Sequence, residues 1–106
     1  MLKTRVTLVI LFAAMPLFAD DVSRLSAILL DSQNQKVTIS ADAWKVTANE
    51  ANGLANRIAA NNRGKKAAGD LQAHIREMRE AALKGDADGA RSHAGMALPF
   101  VYQLSK

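Results

Sequence analysis

From about residue 20 onward, apolar side chains recur every three or four positions in four stretches separated by polar or glycine-containing breaks. That spacing places them on one face of a helix and predicts an all-α protein. The first stretch, 22–34, sets Val22, Leu25, Ile28 and Leu29 on one side and fades through Ser32-Gln33-Asn34-Gln35. The β-branched stretch Lys36-Val37-Thr38-Ile39 is too short for a strand pair and reads as an extended connector. Ser40 is a natural N-cap, since its hydroxyl can accept from a free amide in the next turn, and Asp42 suits the positive end of the helix dipole.

A second helix over 41–61 gathers Trp44, Ala48, Ala51, Ala55 and Ile58 in a narrow arc, widened by Thr47 and Leu54. Asn61-Asn62-Arg63-Gly64 forms a turn, because Asn and Gly tolerate the left-handed backbone that stops helices. The third helix, 66–84, carries Ala68, Leu71, Ile75, Met78 and Ala82 at spacings suited to a bundle seam. Gly85 closes it, and Asp86 or Asp88 caps a fourth helix over 87–104 bearing Ala90, Ala94, Ala97, Val101 and Leu104. Pro99 is expected to interrupt that helix by crowding the carbonyl of Gly95, where a glycine absorbs a kink. The most economical assembly is a small antiparallel up-and-down bundle of four helices, the first short. Its rival is a three-helix core with the first helix loosely docked.

The first nineteen residues have a different pattern. Lys3 and Arg5 precede an apolar run from Val6 through Ala14, and Pro16-Leu17-Phe18-Ala19 gives way abruptly to Asp20-Asp21. A charged start, an apolar middle and a small residue at the cut describe a signal peptide over 1–19. Its apolar part, roughly 14 residues, falls short of the ~20 needed to cross a bilayer as a helix, so no stable membrane span is expected after cleavage. The expected location is therefore periplasmic or secreted, with one domain over 20–106.

Removing the first 19 residues of 106 leaves 87, enough for one domain near the size where a single core is only marginally stable. The chain contains no cysteine, so no disulfide can supplement that core. Its formal charge falls from +4 to +2 once Lys3 and Arg5 are gone. A nucleic-acid partner is not expected, because the basic charge is dilute and only Trp44, Phe100 and Tyr102 remain as aromatics. The densest basic cluster is Arg57, Arg63, Lys65 and Lys66 around the second turn, and four charges on a turn are ordinarily just hydrated.

Candidate chemistry concentrates on the last helical hairpin, where His74 and Met78 precede the turn and His93 and Met96 follow it. Pairing about Gly85-Asp86 sets Met78 level with His93, and His74 level with Met96 or Ala97. Imidazole and thioether suit copper(I), and a His–Met pair can be a haem axial set, so a copper- or haem-binding bundle is the alternative function. Against it, about 100° per residue puts His74 a quarter turn from the seam, on a face with Asp70 and Glu77, where it reads as solvated.

Asp70, His74 and Glu77 have the spacing of a zinc trio, but Lys66, Arg76 and Arg79 nearby favour a charged face laced with helix ion pairs. Asn49, Asn52 and Asn56 form a stripe that reads as an exposed polar flank or, failing that, as amides whose donors and acceptors bond to a neighbouring helix or a partner. Ser92-His93 lacks a nucleophile motif and Gly64-Lys65-Lys66 lacks the P-loop spacing, so an enzyme is not expected. The primary expectation is an exported protein that binds a protein partner or a second copy of itself. Met96, Leu98 and Phe100 would form that surface by widening the apolar arc of the last helix beyond its seam.

Overall fold

The computed structural model describes residues 20–34 and 39–104. The signal peptide expected over 1–19 and the connector residues Lys36, Val37 and Thr38 lie outside the described residues. Among the described residues the chain forms four helices and no strand: α1 (Asp21–Ser32), α2 (Ala41–Ala60), α3 (Lys66–Leu83) and α4 (Ala87–Gln103).

Their boundaries follow from local chemistry. Asp20 starts α1 by accepting from the Ser23 amide at 2.7 Å. That charge-assisted bond holds the Asp20 carboxyl below its ordinary pKa. The Ser40 hydroxyl accepts from the Ala43 amide at 3.1 Å and starts α2, as expected. Asp86, not Asp88, caps α4 by accepting from the Gly89 amide at 2.9 Å. A Cβ at residue 89 would crowd the Asp86 carboxylate, which would have to shift to keep its bond to the amide. Gly64 and Gly85 adopt φ of +86° and +81° in the turns after α2 and α3, a backbone that L side chains resist.

The expected seams close on one another. Leu25, Ile28 and Leu29 of α1 meet Trp44, Ala51, Leu54 and Ile58 of α2, Leu71, Ile75 and Met78 of α3, and Ala90, Ala94, Ala97 and Val101 of α4 in one buried core. Leu104 joins them just past α4. The helices pack in a ring, α1 against α2, α2 against α3, α3 against α4 and α4 against α1, with α2 and α4 also touching across the middle. Alanines on α2 and α4 let backbones approach closely, while Trp44 fills the space at the start of α2.

Two expectations change. The loosely docked first helix is not what forms, because α1 contributes three fully buried side chains to the core. Likewise α4 continues through Pro99 without a break in its helical assignment. Gly95 has a different role from absorbing a kink: a Cβ there would lie 3.0 Å from Oε1 of Gln33, which rests against α4.

Candidate functional site

The four residues singled out on the last hairpin divide into three environments. Met78 is fully buried and belongs to the core. Met96 faces outward and is 48% exposed. His74 and His93 are both half-buried in the α3–α4 interface, with ring centroids 6.0 Å apart and planes inclined by 33°. The structure thus brings the two imidazoles together and separates the two thioethers from each other.

His74 is not on a solvated face. Its ring stacks on Phe100 with centroids 5.6 Å apart and planes within 11° of parallel. A residue a quarter turn from the seam sits on the flank that a close neighbour covers, and the alanine seam of α4 brings that neighbour close enough to touch it. His93 and Phe100 lie seven residues apart on one face of α4 and bracket the level of Met96 and Ala97, the register expected for His74. Nδ1 of His93 is buried and has no hydrogen-bond partner within the protein. Leaving such an atom unsatisfied costs about 1–3 kcal/mol.

Asp70, His74 and Glu77 do not converge. Asp70 instead pairs with Lys66 at 3.0 Å, an i,i+4 ion pair of the kind expected on this face. Among the described residues no three His, Cys, Asp or Glu side chains gather as a metal-binding group.

The asparagine stripe of α2 is more than a polar flank. Arg79 Nε donates to Asn49 Oδ1 at 2.6 Å and Gln72 Nε2 donates to Asn56 Oδ1 at 3.1 Å, stitching the outer edges of α2 and α3 together. One turn before Asn49 stands Val46, 68% exposed, and one turn after Arg79 stands Leu83, 47% exposed. At the same end a shallow hollow of about 70 Å³ is lined by Ile39, Ala41, Trp44, Ala82, Gly85 and Ala87. The start of α2, the end of α3 and the start of α4 therefore share one end of the molecule, where the apolar hollow is set among exposed Asp42, Lys84, Asp86 and Asp88.

Leu98 and Phe100, expected to face a partner beside Met96, pack instead against the core as partly buried residues. Sequence reasoning missed Val46 and Leu83. The signal for Val46 was available, since about 100° per residue places it some 200° from Trp44, a valine on the polar side of its helix.

Polar groups at both ends of α1 tie it down. Arg91 Nε donates to the Ser32 carbonyl at 3.0 Å, and its guanidinium lies 5.9 Å from the centroid of the Trp44 ring. Gln33 Nε2 donates to the Arg91 carbonyl at 2.9 Å, while the buried Ser32 hydroxyl donates to the Leu29 carbonyl at 2.6 Å. On the α2 side, Arg24 pairs with Glu50 at 2.6 Å and Arg57 with Asp21 at 3.1 Å. The hydrogen bond and charge of Asp21 raise the Arg57 pKa further above its ordinary value. With Arg57 held by Asp21 and Lys66 by Asp70, the basic turn has two of its four charges engaged with acids.

No known protein family matches this chain, and no curated protein or solved structure is significantly similar to it.

Proposed function

We propose that this protein is an exported, non-enzymatic module of the cell envelope that works by binding another protein through the apolar end of an antiparallel up-and-down bundle. The observation that carries the reading is that exposed Val46 and Leu83 stand at the same end of the bundle as the hollow lined by Trp44 and Ala82. An exposed β-branched or leucine side chain alone is ordinary, but two at the bundle end that also carries an apolar depression offer a docking surface for a partner's apolar side chain.

The alternating direction of the helices is supported by their pairing order. Rising along α3, Gln72 and Arg79 meet descending positions Asn56 and Asn49 of α2. Asp21 and Arg24 of α1 likewise meet descending positions Arg57 and Glu50. Export is supported by the charged, apolar and small-residue pattern of the first nineteen residues. Cleavage after Ala19 would leave Asp20 at the new start with its capping carboxylate intact.

Native mass spectrometry of protein recovered from the exported fraction tests the reading. The expected species has the mass of residues 20–106 and travels with a partner protein. Val46→Lys with Leu83→Lys releases that partner while circular dichroism stays helical, because both positions are surface sites. A species retaining residues 1–19, or a complex indifferent to both lysines, contradicts it. A second copy of the chain as the bound protein would replace the heterologous partner with a homodimer.

A further inference from the structure

We propose that His74 and His93 form a two-imidazole binding site for a borderline transition-metal ion, copper(II) foremost, between α3 and α4. The site lies along the α3–α4 interface, away from the apolar end, and rests on different observations from the docking reading. Three features of the pair carry it.

The first is spacing. Metal–nitrogen bonds of about 2.0–2.1 Å put the centroids of two imidazoles on one ion about 5 to 6 Å apart, depending on the angle at the metal. The observed 6.0 Å falls within that reach, in the wide-angle part of the range.

The second is preorganisation. The stacked Phe100 ring fixes the plane of His74, and α3 and α4 hold the two rings from opposite sides of a packed interface. Little ordering is left to be done when an ion arrives.

The third is the orphaned nitrogen. Nδ1 of His93 is buried without a hydrogen-bond partner, and an imidazole nitrogen that carries no proton has a lone pair for a metal ion. Coordination is one way to satisfy it.

Imidazole donors select the later first-row ions over calcium or magnesium, and copper(II) stands highest in that series. The thioethers proposed from sequence are not needed: Met78 faces the core and Met96 faces outward. Since no third His, Cys, Asp or Glu converges on the pair among the described residues, the protein supplies two ligands and the affinity is moderate. Haem does not suit the same place, because Ala90, Ala94 and Ala97 are completely buried where a macrocycle would need to enter.

The test uses the protein purified from its own cells and stripped with a chelator. Copper(II) titration is expected to give one equivalent bound, magnesium none, and at least a tenfold loss of affinity in both His74→Gln and His93→Gln. Zinc(II), added to the unaltered protein and followed by proton NMR, is expected to move the ring signals of both histidines together and to saturate at one equivalent. The zinc measurement decides the matter even where a glutamine variant does not fold. Ring signals that stay put, or shift for one histidine alone, overturn the site, as does copper affinity unchanged in either folded variant.

Discussion

At Gly95, helix propensity and packing pull in opposite directions. Replacing an interior helical glycine by alanine ordinarily stabilises by about 0.5–1 kcal/mol. Gly53 and Gly69 have nothing within 4 Å of a built Cβ and should return that gain, whereas a Cβ at residue 95 meets the Gln33 amide at 3.0 Å. Gly53→Ala and Gly69→Ala are therefore expected to raise the thermal midpoint, and Gly95→Ala to give less or to lower it. Equal gains at all three positions would mean that Gln33 does not rest on α4.

Asp31 makes a second case at the residue scale. Partial burial raises its pKa, and it sits in the last turn of α1, where the helix dipole opposes a negative charge. An acid whose pKa is raised by folding favours the native state only when protonated, so its contribution worsens as pH rises through the carboxylate range. Asp31→Asn should thus stabilise by about 0.3–1 kcal/mol at pH 7 and by almost nothing near pH 3, measured by urea unfolding at both. Asp20 has the opposite sign: its lowered pKa gives stability above the carboxylate range that fades as pH falls through the folded value.

The short first helix is the element whose behaviour depends most on its neighbours. Twelve residues are too few for a stable isolated helix, which needs about 12–15 even with favourable composition. Docking supplies the difference through Leu25, Ile28 and Leu29 and through the Arg91 bond to the last-turn carbonyl of Ser32. Arg91→Ala is expected to cost about 1.5–3 kcal/mol, the range for a hydrogen bond from a charged group. Amide exchange should accelerate in α1 more than in α3, and uniform acceleration would show that Arg91 acts elsewhere.

Helix limits were legible to within one or two residues because caps and turns are local: Ser40, Gly64, Gly85 and Asp86 act on neighbours three or four positions away. The docking of α1 was not, since Ser32 and Arg91 stand 59 positions apart and neither belongs to an apolar period. His74 was misplaced, and the bonds made by the asparagine stripe left undecided, for a related reason. A helical wheel separates core from surface but does not say which flank a neighbouring helix covers, and here α4 covers His74 while α3 reaches Asn49 and Asn56.

For the whole molecule, the seam positions read from periodicity are the ones that close the core, including all five on α3. Function was less legible. Candidate partner residues Leu98 and Phe100 turned inward, because four converging seams cover more of the α4 arc than one helix considered alone suggests. Val46 and Leu83, among the exposed apolar residues, mark the end that also carries the hollow.

Photo-cross-linking in living cells tests that end most directly. A photoreactive residue at position 46 or 83 should form a discrete adduct with a partner protein, and one at position 63, in the turn between α2 and α3, should not. The adduct at 46 should disappear when Leu83→Lys is added. Equal cross-linking at 46 and 63, or none at 46 and 83 with the protein folded, would contradict a partner-binding role for this surface.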